Sequence, residues 1–296
     1  MELSNRLRAA ADLVSAGSRI ADIGTDHAYL PIYLVERQRV VSAIALDVNE
    51  GPLKRAKAHI HACGMAEKIE LRLSDGMQKL SAFEVDTAVL TGMGGGLMIR
   101  ILKAYPEVTS SLTECVLQPQ SEIAKVRTFL LEEGFLFLAE DMVKEDGKYY
   151  PMMKVAPPVR TAGEESVGRP PEDFEKAAGK RRGEGTEKKA GERRGEGTEK
   201  KAGERQEEGT EKNAEGGKKT DSERIAGWGM AERRYGKLLL EGRHLVLKEY
   251  LEKEYKTKKQ ILSEIAGNAG ERILKRRAEL EQELEWIRKG LEYYAM

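Results

Sequence analysis

From Glu175 to Arg224 the chain carries not one Val, Ile, Leu, Met, Phe, Trp, Tyr or Cys. A stretch like that has almost nothing to bury, so it cannot offset the entropy lost on ordering. It leaves two parts of the 296 residues able to build a core, 1–158 and 225–296, with 159–224 predicted as a charged, low-complexity, disordered linker. Inside it GEGTEKKAGERR recurs with a period of 12, at Gly183, at Gly195 and in a degenerate copy at Glu207. No copy has an apolar face to stack, which excludes a solenoid. Its charges nearly cancel, 14 Lys/Arg against 11 Asp/Glu from Lys176 to Asp221, which favours a solvated repeat over a nucleic-acid-binding tail. The linker also accounts for a charged fraction of 34% in a chain whose net charge is zero.

Residues 1–158 alternate strand and helix signals. Leu3, Leu7, Ala10 and Val14 share a helical face that Ser4 can cap. Strands are expected at 19–23, 42–47, 68–73, 86–92 and 115–118. Helices are expected over 29–37, from Pro52 to a terminating Gly64, around Met98, Ile101, Leu102 and Tyr105, and from a capping Ser121 onward. FLFLAEDMV and YYPMMKVA pair across EDGK, where Asp146-Gly147 is a strong hairpin signal. Five strands with helical crossovers and a closing antiparallel hairpin predict an α/β fold, a mostly parallel Rossmann-like sheet covered on both faces. In 225–296, Ile273, Leu280, Leu284, Ile287 and Leu291 form a heptad seam. An earlier helix carries Leu240, Leu245, Leu247, Leu251 and Tyr255, with AGNAG (266–270) as the turn. The expectation is an antiparallel, coiled-coil-like helical hairpin.

The stretch RIADIGTDHAYLP, 19–31, opens a nucleotide-binding unit with a strand, a glycine turn and a helix start. It lacks the second and third glycines of a dinucleotide fingerprint, and Asp26 and His27 stand in their place. Gly24 lets a ligand approach the backbone. Asp22 and Asp26 repel a phosphate and attract an amine or sulfonium. Asp47 ends the second strand, 23 residues past Gly24, where a carboxylate can accept both ribose hydroxyls. Asp75-Gly76 ends the third, where an acid can take an adenine amino group and a glycine leaves room for the ring. Open α/β sheets bind ligands at these carboxyl ends. A ribose, an adenine and a cation together describe S-adenosyl-L-methionine better than NAD. The fourth strand runs into TGMGGGLM, which has no Asn/Asp-Pro-Pro-aromatic motif and no Gly-Lys-Ser/Thr phosphate-loop ending.

LSNRL, ADIGTDHAYLP, GPL, DG, GMGG, LQP and EDGKYY together resemble the bacterial tRNA (adenine-22-N1)-methyltransferase family, and YGKLLLEGRHLVLKEYLEKE resembles its C-terminal helical part. The resemblance implies a class I methyltransferase fold, S-adenosyl-L-methionine as donor and N1 of a tRNA D-loop adenine as acceptor. It carries the family's glycine motif onto Asp22, Gly24, Asp26 and His27, and its post-strand acid onto Asp47. The charged insert is a departure from the family pattern.

N1 of neutral adenine needs no deprotonation before attack, so positioning and acceptors for developing charge are what catalysis needs. Backbone carbonyls near Gly92 and Met93, the bare turn at Gly94, and Tyr29 as a stacking surface for an extruded base are the expected catalytic elements. The helical part is the more basic: 15 Lys/Arg to 12 Asp/Glu in 225–296, against 18 to 21 in 1–158. Arg233-Arg234, Lys256, Lys258-Lys259 and Lys275-Arg276-Arg277 are its expected phosphate contacts. Other readings are a small-molecule methyltransferase or dehydrogenase, and a non-catalytic RNA-binding protein on the same fold. Cys63 and Cys115 are expected as reduced, buried small hydrophobes. No secretory signal or membrane span is legible, which predicts a cytoplasmic protein, without metal and monomeric.

Overall fold

The computed structural model describes residues 2–158, 227–266 and 270–295. The predicted linker 159–224 lies outside the described residues, and so do 267–269 of the expected turn. All the described residues belong to one compact unit.

The first part reads α1 (Asn5–Leu13), β1 (Ser18–Ile23), α2 (Tyr29–Glu36), β2 (Val40–Asp47), α3 (Glu50–Ala62), β3 (Ile69–Leu73) and β4 (Thr87–Met93). It continues with α4 (Gly95–Ala104), α5 (Pro106–Ser111), β5 (Glu114–Pro119), α6 (Ile123–Glu132), β6 (Leu136–Glu145) and β7 (Lys148–Ala156). The seven strands form one sheet in the order β3-β2-β1-β4-β5-β7-β6. β3 through β5 run parallel, and β7 lies antiparallel between β5 and β6. Parallel strands are buried on both faces, so they read as continuous apolar runs. Here successive residues feed two cores. Ala21, Ile23, Leu46, Leu90 and Leu117 face the layer of α4, α5 and α6. Ile20, Ala43, Ala45, Val89 and Val116 face that of α1, α2 and α3.

Ser4 caps α1 by accepting the Leu7 N–H at 3.3 Å, and Gly64 closes α3 at φ +66°. Several local expectations are corrected. α3 begins at Glu50, two residues before Pro52, because Asn49 is the extended residue that starts it. Between β3 and β4 the chain crosses through turns instead of a helix, with Met77 and Leu80 packed into the core. Ser121 does not cap α6; Glu122 stands at the N-cap position, at φ +52°, without a side-chain cap bond, because its carboxylate accepts the Gly96 N–H of α4. Cys63 is exposed at the end of α3, whereas Cys115 is buried; both are free thiols.

The C-terminal residues form α7 (Met230–Tyr235), α8 (Lys237–Glu241), α9 (Leu245–Ile265) and α10 (Glu271–Glu292). Leu280, Leu284 and Ile287 of the heptad seam are buried, and Leu247 and Leu251 answer them from α9. Gly290 sits close under Leu251 and Tyr235, where a Cβ would come within 3.1–3.3 Å of both. The earlier helix is not continuous: Leu240 belongs to α8, and Leu245 is left 80% exposed at the start of α9. These helices dock on β6. Met142 shares a core with Tyr235, Leu239, Leu247 and Leu251. Beneath them Arg127 of α6 and Glu140 of β6 pair at 2.7 Å with side chains 1% and 0% exposed. Arg127 also donates to the carbonyls of Arg233 and Arg234, and Glu140 accepts the Leu238 N–H at 3.0 Å. Gly236, at φ +97°, is required there: a Cβ would fall 2.7 Å from the Glu140 carboxylate.

Candidate active site

The carboxyl ends of β1 and β2 meet at Gly24. Its N–H and that of Thr25 donate to the Leu46 carbonyl at 2.9 and 3.0 Å, which folds the β1–α2 turn back over β2. The turn requires φ +77° at Gly24, and a Cβ there would approach the Met93 side chain to 3.3 Å. So Gly24 joins the ends of β1 and β4. Asp22, 3% exposed, accepts the Thr25 hydroxyl at 2.6 Å. Burial raises its carboxyl to about 6; the Thr25 bond works against that rise, and the Asp47 charge adds to it. Asp47, 8% exposed, accepts the Asn49 N–H on one oxygen at 2.9 Å and the Asp26 N–H on the other at 3.3 Å. Two buried acids therefore flank the glycine turn.

Asp26 is a different kind of acid. It is exposed, at φ +50°, and its charge is shared with Arg55 at 3.0 Å and His27 at 3.5 Å. Of the two acids expected to attract a cation, Asp22 is the one without a cationic partner among the described residues. His27, Tyr29 and His59 stack, with centroids 5.1–5.5 Å apart and planes within 23°. His59 fixes the stack through the His27 carbonyl at 3.1 Å. Tyr29 stands beside the turn and is 39% exposed.

At β3, Asp75 is exposed and Gly76 buried, at φ +57°. Tyr105 donates its hydroxyl to the Asp75 carbonyl at 3.1 Å, and a Cβ on Gly76 would press to 3.1 Å from Ile101. Gly76 thus keeps α4 close to the end of β3. Ser74, buried, accepts the Lys79 N–H and donates to the Gly76 carbonyl, holding the loop on which Asp75 projects.

Part of the glycine run after β4 serves packing, which was not expected. Gly95 and Gly96 do not leave bare N–H groups. The Gly95 N–H donates to the Ser121 carbonyl at 3.2 Å and that of Gly96 to the Glu122 carboxylate at 2.9 Å. A Cβ on Gly95 would lie 2.6 Å from Ser121 O and 2.7 Å from Val126, so close backbone packing demands glycine there. The Met93 carbonyl, proposed as a charge acceptor, already accepts the Gln120 N–H at 2.9 Å. Gly92, exposed at φ +78°, donates its N–H to the buried Gln118 side chain at 3.1 Å. Gly94, at φ −68°, faces the Ser121 hydroxyl.

Sequence reading gave no role to Thr25, Ser74, His59, Gln118 or Arg6, although Thr25, Gln118 and Arg6 stand inside the motifs ADIGTDHAYLP, LQP and LSNRL; the last two reach Gly92 from β5 and α1. A single hydroxyl, amide or guanidinium leaves no periodic trace, so only the fold brings them in. Among the described residues, no group of three or more His, Cys, Asp or Glu is placed to hold a metal ion, and no helix is long and apolar enough to cross a membrane.

Seven strands in this order with one reversed next to the edge, and buried acids at the ends of the first two, define the class: a Rossmann-like methyltransferase sheet with a helical extension. The chain belongs to the methyltransferase domain family, whose model matches residues 3–153. It is 34% identical over 153 residues to the tRNA (adenine(22)-N(1))-methyltransferase of Bacillus subtilis, across 52% of this chain. The match spans 64% of that curated relative's length. The crystal structure of Streptococcus pneumoniae Sp1610, a candidate tRNA (m1A22) methyltransferase in complex with S-adenosyl-L-methionine, is similar at 25% identity and a TM-score of 0.67, covering 98% of this chain and all of that one. The M. capricolum TrmK structure, with S-adenosyl-homocysteine, has the same fold at 20% identity and a TM-score of 0.66, covering 99% of each chain.

Proposed function

We propose that this chain transfers a methyl group from S-adenosyl-L-methionine to N1 of a D-loop adenine, position 22, of tRNA. The observation that carries the reading is the buried pair Asp22 and Asp47 around the Gly24 turn. The names of the B. subtilis and S. pneumoniae relatives support it.

The donor set fits the proposed cofactor. Each Asp47 oxygen is oriented by a backbone N–H and keeps a lone pair for a nucleoside hydroxyl. Asp22 places an acid without a cationic partner under the turn, suited to a sulfonium and hostile to a pyrophosphate. Asp75 offers an exposed acid at the end of β3 for the adenine; the room expected at Gly76 is instead filled by Ile101 and Tyr105. When bound, the cofactor supplies an electrophilic methyl on a positively charged sulfur. The protein's part is then to hold, orient and exclude water. Tyr29, backed by His27 and His59, offers a platform for an extruded base. Gly92 and Gly94 keep side chains out of the space at the end of β4. No residue has to remove a proton before attack, so the site needs no strong base.

Not every cation expected to touch RNA is available. Lys258 pairs with Glu254 and Glu283, Arg276 with Glu279, and Arg277 with Glu281. Arg234 lies over the Trp286 ring at 4.5 Å. Lys256, Lys259 and Lys275 remain exposed and meet no carboxylate among the described residues, and they are the phosphate contacts that this reading retains. The test is mass spectrometry of tRNA nucleosides after incubation with the protein and labelled donor, with donor and NAD titrated by calorimetry. N1-methyladenosine is the expected product, and Asp47→Ala is expected to weaken donor binding about tenfold or more, the loss of one to two charge-assisted hydrogen bonds. Heat with NAD and none with the methyl donor overturns the reading.

A further inference from the structure

Arg6 is in a part of the chain with no assigned role, and its surroundings single it out. It is half-buried on α1, a helix outside the sheet, yet its guanidinium reaches the carboxyl end of β4 and β5. Its Nη1 donates to Gln118 Oε1 at 2.8 Å. Gln118 is fully buried, and the same oxygen accepts the Gly92 N–H at 3.1 Å. The guanidinium also lies over the Tyr150 ring, 5.6 Å from its centre, and 3.6 Å from where a Gly92 Cβ would be. A buried amide and an aromatic ring thus hold a cation above the bare face of Gly92.

What that cation lacks is an acid. Arg19, Arg39, Arg72 and Arg127 each meet a carboxylate. Among the described residues none pairs with Arg6; Glu145, across from the start of α1, accepts the Asn5 N–H instead. Gln118 is neutral, so the charge is not compensated, and one of five N–H groups is used. A planar guanidinium with donors to spare, pre-set by packing, suits a phosphate oxygen pair.

We propose that Arg6 is an acceptor-binding residue that takes a backbone phosphate of the RNA next to the adenine being methylated, and that Gln118 and Tyr150 set its orientation. The inference rests on the proposed methyl transfer to tRNA. It places one RNA contact on the first helix of the catalytic part, apart from the cations of α9 and α10.

The experiment compares the parent with Arg6→Gln and Arg6→Lys. Readouts are kcat and KM for tRNA at several salt concentrations, donor affinity by calorimetry and melting temperature. For Arg6→Gln the expected result is a KM for tRNA raised about tenfold, with unchanged donor affinity and melting. The slope of log(kcat/KM) against log salt becomes shallower by about 0.7 to 1, the signature of one lost phosphate contact. Arg6→Lys is expected to keep the parent's slope, because the charge remains, while losing part of the affinity. An unchanged KM and slope in Arg6→Gln overturns the proposal. So does a loss matched by a drop in donor affinity or melting in both variants, which would make Arg6 a strut for the Gly92 turn. A parent that methylates no tRNA refutes the functional reading, and this inference with it.

Discussion

Replacing Arg127 by Met tests how the helical part is held to the sheet. The guanidinium is 1% exposed and its partner carboxylate 0%, so solvent screens neither. Met fills much of the same volume, which confines the loss to charge and hydrogen bonds. The variant removes the 2.7 Å bond to Glu140 and the donor to the carbonyls of Arg233 and Arg234. Glu140 keeps a single donor, the Leu238 N–H, for a buried negative charge. Breaking a buried pair from one side costs about 3–5 kcal/mol, mostly for the charge left behind. In a protein of this size each kcal/mol moves the melting temperature by roughly 2–4 °C, so a fall of about 6–20 °C is expected by scanning calorimetry. Arg127→Met/Glu140→Leu leaves no buried charge and is expected to recover at least half of that loss. Donor affinity, measured below the transition, is expected to stay, because Asp22 and Asp47 belong to β1 and β2. A single variant that melts within about 2 °C of the parent, or a double variant that loses the sum of both singles, refutes the account.

Asp22 sets a pH dependence. Its carboxyl stands at about 6 in the fold against an ordinary 3.8, so between these values the folded chain keeps a proton that the unfolded chain has released. Its contribution to stability therefore grows as pH falls through about 6 and levels off below 3.8. Parallel melts at pH 4 to 7 are expected to show this slope below about 6 in the parent and to lack it in Asp22→Asn; equal slopes would remove it. A sulfonium favours the ionised acid, so donor affinity is expected to weaken as pH drops below about 6. In the glycine run, Gly95→Ala is expected to cost about 1–3 kcal/mol, because its methyl meets the Ser121 backbone at 2.6 Å. Gly94→Ala meets only a rotatable hydroxyl at 3.2 Å, at a φ that alanine accepts. It is expected to melt within about 0.5 kcal/mol of the parent, to bind donor normally and to transfer methyl poorly; full activity would take Gly94 out of the mechanism.

The sheet was legible because burial on two faces writes apolar runs, and because the first four runs stop at Gly or Asp. IADIG, IALDV and IELRLSDG mark where three strands end and where the acids stand. Spacing could not separate Asp22 from Asp26. One is buried and the other is paired with Arg55 from α3, and that difference depends on which helix lies alongside. The glycine run misled for a similar reason. Gly95 answers to Ser121 and Val126, residues brought close only by the crossover of α6, while Gly92 answers to its φ of +78° and Gly94 meets only the Ser121 hydroxyl. In the helical part the heptad seam was plain, but Gly242 and the docking on Glu140 split the earlier helix, which no one-helix pattern can show.

Phe137 stands opposite Val155 in the sheet and lies against Trp228, ring centre to ring centre 4.7 Å. The chain therefore exits after Pro158 and re-enters at Gly227 beside one and the same pair of strands. The helical part is thus pinned by ring and core contacts at its entry point, close to where the first part leaves the sheet.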